Sequence, residues 1–139
     1  MGNEFELLEF NINPVPASRP RVTRWSTYYP KKYTQFKLDM IALTSELDLT
    51  PFEGSLRVDI GFYISMPKSW SKKKKELKES SYCDNNADVD NYLKAILDSL
   101  NEVVYVDDRQ IVEISARKIY SNKPCIKFKY KPIGDKDGN

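Results

Sequence analysis

Four aspartates are the residues of this chain best suited to chemistry: Asp88 and Asp90, nearly adjacent, and the contiguous pair Asp107–Asp108. Carboxylates held close together repel and raise one another's pKa unless a cation sits between them. Magnesium suits such a cluster, because it is a hard ion that takes one or two carboxylates plus waters and phosphate oxygens in near-octahedral geometry. Two such ions ~4 Å apart can activate a water, align it with a scissile phosphate and stabilise the leaving oxygen. Lys94, one helical turn after Asp90, is placed to neutralise charge building on the phosphate or to position the attacking water.

Each residue alone has a simpler role. An aspartate at a helix start is a common cap that suits the macrodipole. Lys94 can pair with Asp90 or Asp98 at four-residue spacing, and Asp98 is read as its structural partner. Asp107–Asp108 can simply make a turn. Spacing leaves both readings open.

Composition removes most other chemistries. The chain has no histidine, which excludes histidine-dependent nucleophiles, HExxH zinc sites and histidine bases. It has no glycine-rich phosphate loop, so no nucleotide cofactor is expected. Cys83 and Cys125 form neither a zinc motif nor a disulfide framework and suit a reducing compartment. The 139 residues fit one domain, and 40% apolar with 30% charged residues describes a globular protein. No apolar run approaches the ~18 residues needed to cross a bilayer. The first ten residues carry Glu4, Glu6 and Glu9, unlike a secretory signal, so a cytoplasmic location with no membrane partner is expected.

The elements that must position the aspartates follow from periodicity. Val89, Leu93, Ile96, Leu97 and Leu100 trace one face of a helix from Asp88 to Asn101, leaving Asp90, Lys94, Asp98 and Asn101 on the opposite side. Val103–Val106 leads to the Asp107–Asp108 turn, and a strand follows with Val112, Ile114 and Ala116 on one face. If that strand packs beside the helix, the carboxylates can converge. Upstream, Leu8, Phe10 and Ile12 alternate as a first strand, Lys31 to Leu47 is an amphipathic helix, and Leu56 to Met66 alternates without a break. Ser71 to Glu79 reads as a short helix, and Ile126, Phe128 and Tyr130 alternate with lysines in a last strand. The fold class expected is α+β: a small mixed sheet covered by helices in one domain, residues 1–131, with a flexible C-terminal tail, 132–139. Asp135-Lys-Asp137-Gly-Asn imitates the opening of a calcium loop but supplies no ligand at its twelfth position, so it is not read as one.

The net charge of +2 hides segregation. No acid occurs from Asn11 to Leu38, where Arg19, Arg21, Arg24, Lys31, Lys32 and Lys37 fall, while acids gather between Glu76 and Glu113. Pro14 to Tyr29 reads as a long irregular loop, in which Arg19, Arg21 and Arg24 interleave with Trp25, Tyr28 and Tyr29. Arginine forks grip phosphates and aromatic rings stack on exposed bases, so this is the first DNA-binding candidate. Lys72, Lys73 and Lys74, with Lys75, form the second. If Ser71 caps their helix they crowd its positive end, which costs ~0.3–1 kcal/mol each and which a nearby phosphate backbone would reverse.

The segment Asp88-Val-Asp90-Asn91-Tyr-Leu-Lys94-Ala-Ile-Leu-Asp98-Ser-Leu-Asn101, followed by Val-Tyr-Val-Asp107-Asp108-Arg-Gln110-Ile-Val, closely resembles the signature of RusA-type Holliday-junction resolvases. Arg19-Pro20-Arg21 and Met66-Pro67-Lys68-Ser69-Trp70-Ser71-Lys72-Lys73 resemble further features of that family, so the likeness spans most of the chain. It implies a RusA-like fold, with Asp88, Asp90 and Asp108 as metal-binding catalytic carboxylates, Lys94 as the essential lysine and Asp107 as an accessory ligand. It also implies a homodimer that nicks branched DNA symmetrically with Mg2+, or Mn2+ in its place. The alternatives are a nuclease for flaps or forks, or a junction-binding protein without cleavage. Asn85-Asn86-Ala87 departs from the basic or proline-containing approach of many relatives, which puts local substrate contacts in question but costs no metal ligand.

Overall fold

The computed structural model describes residues 4–134. In chain order the elements are β1 (Glu6–Phe10), β2 (Arg21–Val22), β3 (Thr27–Tyr28), α1 (Lys31–Thr44), β4 (Leu56–Ile64), α2 (Lys72–Lys78), α3 (Val89–Ser99), β5 (Ile111–Tyr120) and β6 (Cys125–Pro132), with a short 3-10 turn at Asp108–Gln110 before β5. Four strands form one mixed sheet in the order β1-β6-β4-β5. β6 runs antiparallel to both β1 and β4, whereas β4 and β5 are parallel. A parallel pair needs a crossover, and the stretch carrying α2 and α3 supplies it. The expected α+β architecture is therefore the one observed.

One face of the sheet makes the core. Leu56, Val58, Ile60 and Phe62 of β4 and Ile126 and Phe128 of β6 are buried against Tyr33, Phe36 and Met40 of α1 and Tyr92, Ala95 and Ile96 of α3. Strand alternation delivers the first six to one side, and helical spacing delivers the others to the facing stripes. Burial of each large side chain contributes roughly 1.5–3 kcal/mol. The opposite face is charged. Arg57 pairs there with Glu113, and Arg117 pairs with Asp59.

Three expectations need adjustment. Pro14–Tyr29 is not wholly irregular: β2 and β3 pair as a small antiparallel hairpin, closed by the Thr23 hydroxyl accepting the N–H groups of Trp25 and Ser26. Val112 and Ile114, read as an apolar face, are 59% and 39% exposed: the register against β4 shifts between Leu56 and Arg57, so Ile111 and not Val112 lies opposite Leu56, and Ile111 and Ala116 are the residues that pack on the core. The tail does not begin at residue 132, since Pro132 still belongs to β6 and the Ile133 N–H donates to the Ser55 carbonyl at 3.0 Å. Residues 135–139, with the segment that imitates a calcium loop, and residues 1–3 lie outside the described residues. No helix among the described residues is long and apolar enough to cross a membrane.

Candidate active site and nucleic-acid interface

Helix α3 carries the candidate residues Asp88, Asp90 and Lys94 at and after its start. Asp88 occupies the N-cap position in extended conformation, yet its carboxylate makes no capping hydrogen bond. The approach is held by other groups. Lys118 Nζ donates to Asn85 Oδ1 at 2.7 Å and to the Ala87 carbonyl at 2.6 Å, while Asn85 Nδ2 donates to the Tyr92 hydroxyl at 2.9 Å. The Asn85-Asn86-Ala87 departure is thus a knot that fixes the start of α3. Lys118 and Tyr92 complete it, and neither was marked by motif spacing; the alternation of β5 alone would have shown only a lysine on a buried-face position.

Asp90, Lys94 and Asp98 line a cleft of about 550 Å³ whose other wall includes Arg19, Tyr29 and Lys37. The loop is pinned there by the Ala17 N–H, which donates to the Asn91 carbonyl at 2.8 Å. Lys94 makes no ion pair with Asp90 or Asp98 among the described residues, so the structural pairing read from four-residue spacing is not formed. Asp98 lines the same cleft as Lys94, and its charge is felt on the far wall. Tyr33 has its hydroxyl pKa raised, first by burial and then by the charge of Asp98.

Asp108 enters at the other end of α3. Its N–H donates to Asn101 Oδ1 at 2.9 Å. Partial burial, then the hydrogen bond and charge of Asp107 and the charge of Asp98, raises its carboxyl above the ordinary value. Asp107 is largely occupied as a turn cap, accepting the Arg109 N–H at 2.9 Å. At ~1.5 Å of rise per residue, Asp90 and Asp98 lie about 12 Å apart along the helix axis. The site therefore has two acidic ends, Asp88 with Asp90 and Asp98 with Asp107–Asp108, with Lys94 between them.

These residues meet the chemical requirement for a hard divalent ion but do not form a closed cage. Among the described residues no group of three or more acidic, histidine or cysteine side chains is close enough to hold a metal. The convergence of Asp88, Asp90 and Asp108 anticipated from the wheel is accordingly not seen in this single chain. Magnesium needs only one or two protein carboxylates, taking its other ligands from water and phosphate. Burial first, and then the neighbouring Asp107 and Asp98, disfavour the charged Asp108 carboxylate, and a cation close by would favour that charged form.

The DNA-binding candidates divide between two surfaces. Arg19 reaches the cleft, whereas Arg21 and Arg24 sit on the exposed hairpin. At the hairpin tip Trp25 is 86% exposed, with the Arg24 guanidinium 5.5 Å from its ring centre. Lys72, Lys73 and Lys74 begin α2, and Ser71 does cap it, its Oγ accepting the Lys74 N–H at 3.1 Å. All three lysines are exposed, and Lys74 Nζ lies 4.4 Å from the centre of the Trp70 ring.

A mixed sheet backed by helices, with an acidic helix face opposite a basic arm, defines the class: a small α+β domain whose charged cleft combines carboxylates with lysine and arginine. The model of the family described as endodeoxyribonuclease RusA matches residues 11–129, and the chain belongs to that family. Membership implies endodeoxyribonuclease activity. The chain is also similar to YqaN, an uncharacterized protein of Bacillus subtilis (strain 168), with 33% identity over 139 residues, spanning 92% of this chain and 98% of that relative.

Proposed function

We propose that this protein is a homodimeric, magnesium-dependent endonuclease that resolves four-way DNA junctions in the cytoplasm, with manganese able to replace magnesium. The observation that carries the reading is the shared cleft, in which Asp90 and Lys94 of α3 face Arg19 of the basic loop. A surface built only to bind DNA would gain nothing from carboxylates facing phosphates, since they repel the ligand. Carboxylates beside cations suit a site that must hold a phosphate and also a metal.

In this reading Asp88 and Asp90 at one end of α3, and Asp108 with Asp107 as an accessory at the other, are the metal ligands, each end offering carboxylates to an ion that takes its remaining ligands from water and phosphate. When bound, the ion would supply a polarised water and neutralise charge on the scissile phosphate. The protein supplies the rest. Lys94 lies between the two acidic ends, where it can donate to a non-bridging phosphate oxygen as negative charge develops. Arg19, Arg21 and Arg24 grip the backbone, Trp25 offers a stacking face for a base at the branch, and Lys72, Lys73 and Lys74 extend the contact. A dimer would present two such sites to opposite strands of a symmetric junction.

The test is cleavage of a synthetic four-way junction in magnesium beside a linear duplex of the same sequence. Nicking of the junction with the duplex spared is expected. Asp90→Asn should abolish cleavage while junction binding stays intact or tightens, because repulsion toward DNA falls. Unchanged cleavage by Asp90→Asn would remove this site from consideration. Preference for flaps or forks would change the substrate assignment, and binding without cleavage would make the protein a junction binder.

A further inference from the structure

Gln110 ends the acidic turn, and its side chain satisfies every hydrogen-bonding group it has. Nε2 donates to the carbonyl oxygens of Phe52 at 2.7 Å and Gly54 at 2.9 Å. Oε1 accepts the Asp107 N–H at 2.9 Å. On the other side Asn101 Oδ1 accepts the Asp108 N–H. Two amide side chains, one from the last residue of the turn and one from just past α3, thus hold the successive backbone N–H groups of Asp107 and Asp108.

The anchor they grip is itself fixed. The Phe52 N–H donates to the Val104 carbonyl at 2.9 Å, and Gly54 adopts φ +131°, a conformation that favours glycine and lets its carbonyl face Gln110. Tyr105, fully buried, donates its hydroxyl to the Leu97 carbonyl at 2.9 Å and closes the link back to α3.

The Asp108–Gln110 turn buries none of its residues, so burial does little to hold it. The hydrogen bonds of Gln110 and Asn101 are therefore what fixes its backbone. We propose that Gln110 is a positioning residue that sets the Asp108 carboxylate for metal binding, by tying the acidic turn to the Phe52–Gly54 segment. The proposal rests on the reading of Asp108 as a metal ligand.

The experiment uses the full chain with Mn2+ as probe, its free concentration followed by electron paramagnetic resonance, alongside single-turnover cleavage of a four-way junction and junction affinity. Gln110→Ala removes all three hydrogen bonds. Gln110→Glu keeps the shape and one acceptor but turns an acceptor toward two carbonyl oxygens. Asp59→Asn, on the opposite face of the sheet, is the control for a general loss of stability. Both Gln110 variants are expected to weaken Mn2+ binding and slow cleavage by about 10–100-fold, a range typical of groups that orient metal ligands. Junction affinity should hold, and Asp59→Asn should match wild type in all three measurements. Gln110 variants that lose only thermal stability, with Mn2+ affinity and cleavage rate intact, would overturn the positioning role. Asp108→Asn separates the two claims. If it is defective while the Gln110 variants are not, only the role of Gln110 fails; if it binds Mn2+ and cleaves normally, the reading of Asp108 fails and the proposal with it.

Discussion

At the scale of single residues, the informative feature is which charges have partners. Lys94 lies one turn from both Asp90 and Asp98 without an ion pair to either, and it lines the cleft they share. Lys94→Met is expected to lower the single-turnover cleavage rate by about 10²–10³-fold, the usual loss when a donor to developing charge is removed. Junction affinity in a gel-shift assay should change far less, since one phosphate contact among many is lost. Asp59 is the opposite case. Its hydrogen bond with Arg117 holds the carboxyl below its ordinary value. A depressed folded pKa contributes stability that is present above the unfolded carboxylate value and lost as pH falls through the folded one. Asp59→Asn should therefore flatten the acid limb of a plot of thermal midpoint against pH. Because the pair is partly exposed, screening limits its contribution at neutral pH to about 1 kcal/mol or less.

At the scale of elements, the β2–β3 hairpin and α2 carry exposed positive charge with no carboxylate paired to it among the described residues. Replacing Arg19, Arg21 and Arg24 together by alanine is expected to weaken junction binding and flatten its salt dependence, by up to ~0.9 in slope for each phosphate contact removed. An unchanged slope in a titration from low to moderate salt would show that the arm does not touch DNA. Trp25→Ala should narrow the affinity difference between junction and duplex, since a stacked base is worth about 1–3 kcal/mol. The elements themselves were largely legible in the sequence. Alternation marked β4 and β6, and the stripe from Val89 to Leu100 marked α3, because both reflect burial of one face. The edge position of β5 was not legible, because alternation reports which side chains share a face and not which strand lies beside them. The Asp-x-x-Gln spacing at Asp107–Gln110 did carry a capping-box signal. What it could not reveal was the reach of Gln110 to Phe52 and Gly54, a contact far off in sequence.

At the scale of the whole molecule, the same limit explains the candidate site. The helical wheel placed Asp90, Lys94, Asp98 and Asn101 on one side, and the structure brings the first three to one cleft. The wheel could not say at which end of α3 the Asp107–Asp108 turn would dock. That is decided by Asn101, Tyr105 and Phe52, whose hydrogen bonds hold the turn near Asp98. Light scattering on the purified chain is expected to give twice the 16.2 kDa of one copy. A monomer at micromolar concentration would leave the paired-nick mechanism without its second site.

The two cysteines have a practical corollary. Cys83 and Cys125 are free thiols buried in the fold, and burial pushes the Cys125 thiol up from its ordinary pKa. Thiol-reactive dyes attack exposed thiolates, so the native protein should label slowly. A cysteine introduced at Ser26, beside the hairpin tip, would then be the fast-reacting position. It would let a single fluorophore report when the arm meets DNA, without first rebuilding the chain to be cysteine-free.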